Sequence, residues 1–409
     1  MNPPPPPGRS PKGSAIRRPP RNRTQPRLIL LVLLGLLGLA LPACSELART
    51  RPVLKIGLVA PFEGHYRYVG YDAIYAARLA VREANAAGGV AGYTVELVAY
   101  DDGGDPATAR KVAQALALDD AVVAVIGHWL DETTLAAAPV YAEAGLPLLA
   151  PSSHPLLRPT SINAPEGGRR LRLAPPEEAL ATQATRLLAA QFSARRVLLW
   201  VQPPDDTARL QVWQQALTGA GIEAMVRTDL PPTAPLPPAD ALICLCDPLT
   251  GGEFLRAVRE AGFTGPVVGL GLWADPPLEA IAGERQGPIV TVGGLPDLVG
   301  LFLGDFPQRY RAVGPHVPPP GPRAVLTYDA VRLVMRAIED DHRFHGQATR
   351  RGVGFSLYTT ALDGLTGHLS FDENGQWRSA PVVVGERGDE GMRQRGRRGE
   401  ATGGEGIRR

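Results

Sequence analysis

After Pro52 the sequence alternates short apolar segments with longer segments of helical periodicity, and this alternation constrains the fold more than any other feature. The first apolar segment is Val53–Ala60, and the helical pattern that follows it, Tyr71–Ala87, ends at a Gly-Gly pair. Asp105-Pro106 then places a capping side chain and a first-turn proline before the next helix. Strands and helices that alternate in this order predict parallel sheets covered by helices on both faces, which is an α/β fold.

The alternation comes in two series, separated by a proline-rich stretch at Pro175-Pro176. The second series opens with a predicted helix, Glu177–Ala190, and continues with further strands and helices. A strong helical pattern, Ala324–Glu339, follows it, and Asn374-Gly375 predicts a hairpin turn. We expect two α/β lobes.

The N-terminal segment has the composition of an export signal. Residues 1–27 are rich in Pro and Arg, and residues 28–41 are apolar and uncharged. At 1.5 Å per residue the apolar segment spans roughly 21 Å, less than the ~30 Å of a bilayer core. We therefore predict a signal peptide over residues 1–43. Leu41-Pro42-Ala43-Cys44 resembles a bacterial lipobox, which implies a lipidated Cys44; an uncleaved anchor and a simple secretory signal are the alternatives.

The charge distribution argues against a nucleic-acid-binding protein. The formal net charge is +2, but the basic residues are concentrated at the two ends, so the chain between residues 44 and 385 is net acidic. A Gly- and Arg-rich tail, residues 386–409, is predicted to be disordered. We expect no nucleic-acid partner.

Cys244 and Cys246 lie in an apolar segment that predicts a buried strand. Alternate residues of a strand share a face, yet a disulfide between residues so close in sequence would be strained. We therefore predict two buried thiols. No other Cys or His pair has the spacing of a metal site.

The sequence offers no catalytic constellation. Residues 269–274 fit a dinucleotide-binding glycine pattern, but Asp275-Pro276-Pro277 interrupts the entry into a helix. Nucleophile-elbow, zinc-protease and phosphate-loop motifs do not occur. We predict a protein that is not an enzyme and needs no cofactor or metal.

Several segments resemble the branched-chain amino-acid and amide-binding proteins of ABC importers, which have the type I periplasmic-binding-protein fold. The resemblance covers about residues 53–385 and is densest in the first part of the chain. The segments that carry it are KIGLVAP (55–61), AVREANAAGGVAG (80–92), VAYDD (98–102), VIGH (125–128), YAEAG (141–145), TYDAV (327–331) and GHLSFDENG (367–375).

The resemblance implies two lobes joined by three crossovers, with a small polar ligand bound between them. Lobe 1 would comprise residues 51–173 and 295–368, and lobe 2 residues 174–294 and 369–385. The expected partners are a small polar, amino-acid- or amide-like solute, the permease subunits of an ABC importer and, through lipidated Cys44, a membrane. We expect a lipoprotein on the extracytoplasmic face.

The resemblance also suggests ligand-binding residues in lobe 1. Asp131 occupies the position of a serine that helps to bind the ligand carboxylate in the family. An acid there would repel a carboxylate, and could receive an amine, amide or hydroxyl, or cap the following helix. Ser153, with Ser152 beside it, is the best candidate donor, although a solvated turn would have the same sequence. Tyr68 and Val69 lie in the loop that covers the ligand in the family.

In lobe 2 the candidates are Asp205, which replaces an aromatic residue of the family, and Trp273. Asp205 could equally be an N-cap. The alternative function is that of a sensory or regulatory lipoprotein with the same fold, which acts through protein–protein contacts.

Overall fold

The computed structural model describes residues 51–165, 167–202, 206–229, 235–283, 287–388 and 391–395. The predicted signal peptide, Cys44 and Asp205 lie outside these residues. No helix in the described ranges is both long enough and apolar enough to cross a bilayer.

The first lobe is built on a five-stranded parallel sheet in the order β2-β1-β3-β4-β5. The strands are β1 Val53–Ala60, β2 Thr94–Asp101, β3 Val122–Gly127, β4 Leu148–Ala150 and β5 Arg170–Arg172. The helices between them are α1 Arg67–Ala86, α2 Pro106–Leu118 and α3 Asp131–Glu143. Side chains of β1 reach both faces: Ile56 and Leu58 enter one core and Val59 another. Burial on both faces explains why the inner strands β3 and β4 are apolar throughout.

The second lobe contains a seven-stranded sheet, in which two strands near the C-terminus, β13 Val383–Gly388 and β14 Gly391–Arg395, complete the order β14-β13-β10-β9-β8-β6-β7. Five strands form its parallel part: β6 Arg196–Val201, β7 Glu223–Arg227, β8 Ala241–Leu245, β9 Val267–Leu270 and β10 Ile289–Gly293. Its helices are α4 Glu177–Phe192, α5 Thr207–Gly219, α6 Pro248–Glu260 and α7 Pro276–Ala282. This sheet also has a core on each face.

The chain returns to the first lobe after β10. Helices α8 Phe306–Arg311, α9 Pro322–His345 and α10 Arg350–Thr359 follow, and a short hairpin joins β11 Leu362–Gly364 to β12 Gly367–Leu369. Most of α9 is buried in the core that also contains Ile56. The α/β fold with two helix-covered parallel sheets is thus confirmed.

The C-terminal segment differs from the prediction in two ways. Leu369, Phe371 and Trp377 are buried in the first lobe's core, so the chain leaves that lobe after Trp377 and not at 369. Strand β13 Val383–Gly388 then pairs antiparallel with both β10 and β14 Gly391–Arg395. Residues 386–388 and 391–395 are therefore ordered by sheet pairing, where a disordered tail was predicted.

Three crossovers join the lobes, and they lie against one another. Arg172 lies at the start of the first crossover and Gly375 just before the third. The N–H of Arg172 donates a hydrogen bond to the carbonyl of Gly375, so these two connections lie side by side. The side-chain amide of Gln376 also donates to the carbonyl of Ala174. Gly294 of the second crossover packs directly against Pro175 of the first. A Cβ at Gly294 would lie 2.2 Å from Cδ of Pro175.

Cys244 and Cys246 form a disulfide, so the prediction of two free thiols was wrong. Cys246 lies one residue beyond the end of β8, where the chain bends toward α6. The bend brings the two Cα atoms to 5.4 Å, within the range that a disulfide bridges. In an uninterrupted strand these residues would be farther apart.

Candidate functional site

A cavity of about 570 Å³ lies between the two lobes. Its walls are formed by segments that follow the strands of both sheets: Trp129–Glu132 after β3, Pro151–His154 after β4, Gln202 after β6, Cys246-Asp247 after β8 and Gly271-Leu272 after β9. The carboxyl ends of parallel strands are the usual place for a ligand crevice in α/β proteins.

The segment that leads from β3 to Asp131, the first residue of α3, is held in place by buried contacts. Gly127 ends β3 with φ +118°, and a Cβ there would lie 2.1 Å from the carbonyl oxygen of Val59. The next residue, His128, is fully buried: its Nδ1 lies 2.7 Å from Oδ2 of Asp102 and its Nε2 3.1 Å from the hydroxyl of Tyr141. These contacts hold the entry to α3 at the edge of the cavity.

Asp131 is the first residue of α3 and binds groups from both lobes. Its Oδ1 accepts a hydrogen bond of 2.5 Å from the hydroxyl of Ser152, and its Oδ2 lies 2.5 Å from Nη2 of Arg209 on α5. Burial alone would raise the pKa of Asp131, but Arg209, His154 and Ser152 together lower it below the usual value. Asp131 is therefore an ionised carboxylate that joins the lobes.

Glu177, the first residue of α4, lies on the other side of Arg209. Its Oε1 is 3.1 Å from Nε of Arg209 and accepts a hydrogen bond from the indole of Trp213. Its Oε2 is buried without a hydrogen-bond partner in the described structure. Burial raises the pKa of Glu177, and the charges of Glu177 and Asp131 in turn outweigh burial to raise that of Arg209.

Three further contacts cross the cleft. Nε2 of His154 lies 2.7 Å from Oδ2 of Asp206, and the hydroxyl of Tyr66 donates to Oδ1 of Asp247 at 2.9 Å. The guanidinium of Arg323 forms a bidentate pair with Asp275, at 2.6 and 3.1 Å. With Asp131–Arg209 these contacts connect the lobes around the cavity.

Glu132 and Trp129 line the cavity and are less well paired. Burial raises the pKa of Glu132, and the neighbouring charges of Asp131 and Asp247 raise it further. The indole nitrogen of Trp129 is buried without a hydrogen-bond partner among the described residues.

Three of the predicted ligand-binding residues, Asp131, Ser152 and Ser153, come together in the cavity wall. Asp131 is not an N-cap: Leu130 has that position. Asp205 and the predicted lipid anchor, Cys44, lie outside the described residues.

Tyr68, Val69 and Trp273 are not part of the cavity wall. Helix α1 begins at Arg67, earlier than predicted, so Val69 faces the core and Tyr68 lies in the first turn, with its ring 5.7 Å from the guanidinium of Arg323.

The sequence analysis predicts that Trp273 faces the cleft. In the structure this residue is fully buried in the second lobe instead. A Cβ at Gly269 would lie 2.0 Å from its ring, and one at Gly251 2.6 Å. Its indole N–H donates to the carbonyl of Cys246. The two glycines thus make room for the indole behind the cavity wall.

The sequence analysis missed Arg209 and Glu177. Both lie on helices, where a charged residue is normally solvated. The ligand-binding residues that the sequence predicts come instead from segments that follow strands. The only sequence signal was that Glu177 directly follows Pro175-Pro176 at the start of a helix. No group of three or more potential metal ligands occurs in the described ranges.

The comparisons with known proteins agree with this architecture. A family model described as "Periplasmic binding protein" matches residues 53–387. An amino acid binding protein of Pseudomonas aeruginosa is 32% identical over 126 residues, which is 31% of this chain and 32% of that protein. The alignment therefore spans about a third of that relative.

Two further similarities extend over most of the chain. The leucine-, isoleucine-, valine-, threonine- and alanine-binding protein of Pseudomonas aeruginosa is 24% identical over 370 residues, or 85% of this chain and 94% of that protein. The crystal structure of a leucine-binding protein from Thermotoga maritima superposes with a TM-score of 0.70 at 20% identity, covering 84% of this chain and 97% of that one. At this identity the structural likeness establishes the fold.

Proposed function

This chain belongs to the periplasmic binding protein family, and on that basis we propose that it is an extracytoplasmic, lipid-anchored receptor that captures a small polar solute and delivers it to an ABC importer. Amino-acid- or amide-like molecules are the proposed class of solute, since the relatives are named for amino acids. The protein would bind and release its guest without changing any covalent bond.

The cavity between the lobes is the observation that carries this proposal. Its volume of about 570 Å³ falls in the range of ligand pockets, roughly 300–1,000 Å³. Polar groups from both lobes line it, among them Ser152 and Ser153 from the first and Gln202 and Asp247 from the second. A guest that contacts both lobes would stabilise the closed arrangement over an open one.

A solute screen tests the binding function. The purified full chain is titrated with amino acids, amides and amines while tryptophan fluorescence and the melting temperature are recorded. Trp129 lines the cavity, so a bound guest is expected to alter its emission. A solute that acts through the cavity should lose its effect when Ser152→Ala and Ser153→Ala are combined, whereas Ser356→Ala on α10 serves as the control. The absence of any response across the screen would contradict the proposal.

The lipid anchor has its own test. When the chain is produced in a bacterium fed a labelled fatty acid, Cys44 should take up the label and the protein should fractionate with membranes. The Cys44→Ser variant should remain unlabelled. Labelling of both chains, or of neither, would contradict the anchor.

One observation favours a second candidate, a sensory or regulatory lipoprotein that acts through protein contacts. The lobes are joined directly by contacts of the chain's own side chains, namely Asp131–Arg209, His154–Asp206, Tyr66–Asp247 and Arg323–Asp275. For that function the neighbouring genes should encode a kinase or a cell-wall synthase, and for transport they should encode permease and ATPase subunits.

A further inference from the structure

Carboxylates outnumber basic groups in the cavity wall. Five carboxylates line it, against two guanidinium groups and one imidazole. One of the guanidinium groups, that of Arg323, is already neutralised by Asp275 outside the wall. The other belongs to Arg209, so the cavity is net negative.

The five carboxylates also occupy the helix ends that would otherwise attract an anion. Asp206 and Asp247 are the N-caps of α5 and α6 and accept hydrogen bonds from backbone N–H groups there. Asp131 and Glu132 lie in the first turn of α3, and Glu177 lies in that of α4. Each helix end offsets only about half a charge, so the four ends leave a negative surplus. A guest carboxylate would meet acidic side chains where N–H groups are usually free.

Arg209 demonstrates how a cation is held at this site. Its guanidinium lies between Asp131 of the first lobe and Glu177 of the second, with Oδ2 of Asp206 at 3.7 Å from Nε. The side chain of Arg209 is 10% exposed and that of Glu177 1% exposed, so water does little to screen these charges.

Two carboxylates of the cavity wall have oxygen atoms that Arg209 does not contact. Oε2 of Glu177 is buried in the wall without a hydrogen-bond partner among the described residues. Glu132 lines the cavity between the charges of Asp131 and Asp247, and no described basic group pairs with it at ion-pair distance. The aromatic rings of Trp129 and Tyr66 border the same space, and aromatic faces attract cations.

We infer that the guest is an organic cation, a primary amine or guanidinium on an apolar body, whose charged group binds at Glu132 among the carboxylates of the cavity wall. Leucine side chains that line the cavity, such as Leu135 and Leu180, would contact the apolar body. This inference rests on the proposed solute-binding function and replaces the amino-acid- or amide-like class proposed there with a cationic one.

Calorimetric titration of the full chain with four probes tests the inference. Agmatine and phenethylamine are the cations, leucine is the zwitterion and benzoate is the anion. We expect a cation to bind at least tenfold more tightly than leucine or benzoate. Added salt should weaken the binding of the cation. Glu132→Gln should weaken binding of the cation by up to about fivefold, the value of one exposed ion pair. Glu143→Gln, an exposed site at the other end of α3, should leave the affinity unchanged.

The outcomes separate the inference from the function on which it rests. Tighter binding of leucine or benzoate would overturn the cationic class and leave the solute-binding function standing. Cation binding that Glu132→Gln does not weaken would overturn the assigned site. A chain that binds none of the four probes would overturn the inference and would also count against the binding function.

Discussion

Arg209 and Asp131 belong to different lobes, and Nη2 of Arg209 lies 2.5 Å from Oδ2 of Asp131. Since Glu177 approaches the same guanidinium, one buried cation serves two carboxylates. The pair connects the lobes and also occupies part of the space where a guest would bind.

Replacing Arg209 with methionine should therefore destabilise the protein. The variant would leave the carboxylates of Asp131 and Glu177 buried without their cation, at a cost of about 3–5 kcal/mol in the free energy of unfolding. Urea denaturation measures this loss. The matched control, Arg186→Met at an exposed position of α4, should change the free energy by less than about 0.5 kcal/mol. Similar values for the two variants would contradict the role of the pair.

Gly127 should tolerate no side chain. Gly127→Ala would place a Cβ 2.1 Å from the carbonyl oxygen of Val59, at a positive φ, and should cost more than about 3 kcal/mol. Gly145→Ala is the control, because φ is also positive there but a Cβ would meet nothing within 4 Å. It should cost only about 1–2 kcal/mol. Thermal or urea unfolding of both variants gives the comparison, and equal losses would rule out the contact with Val59.

The disulfide should contribute little to stability, because Cys246 follows Cys244 by two residues. Closing so short a loop gives about 1.5 kcal/mol in the chain-entropy treatment. Reductant should lower the free energy of unfolding by that amount in the native chain and have no effect on a Cys244→Ala/Cys246→Ala variant. Thiol titration of a Cys44→Ser chain should find free thiols only after reduction; free thiols before reduction would show that the bond is absent.

Asp329 should make the stability depend on pH. It is fully buried on α9, and its Oδ2 accepts hydrogen bonds from the backbone and the hydroxyl of Thr366. Burial raises the pKa of Asp329 although these bonds oppose the shift. The folded state thus holds the proton more tightly than the unfolded state does. The contribution of this group is fully present below the unfolded pKa, near 3.8, and is lost as the pH rises through the folded pKa.

Unfolding free energies measured from pH 3 to pH 7 test this prediction. Asp329→Asn keeps the shape and removes the proton equilibrium, so its stability should fall less with rising pH than that of the native chain. Asp120→Asn, at a fully exposed position, should retain the native pH dependence. An unchanged slope in Asp329→Asn would refute the assignment.

The sequence predicted the fold well where local patterns decide it. The sequence predicts β1 with its observed ends, because a mainly apolar segment, interrupted only by Lys55, lies between Pro52 and Pro61 and leaves few other possibilities. The resemblance to the family suggested Ser152, Ser153 and Asp131, and the structure brings them together because residues that follow parallel strands collect at one edge of the sheet. Arg209 could not be found in this way, since its partner Asp131 lies across the cleft and is far from it in sequence. Trp273 was misplaced because two glycines, Gly251 and Gly269, leave room for its indole to turn inward.

The bundled crossovers restrict how the two lobes can move. Arg172, Gly375 and Gln376 tie the first and third connections together, and Gly294 lies against Pro175 of the first. Connecting segments that contact one another in this way bend together and resist sliding and twisting. An opening of the cleft would then be a rotation about a single axis, and it would displace the far surface of the opposite lobe as a rigid body.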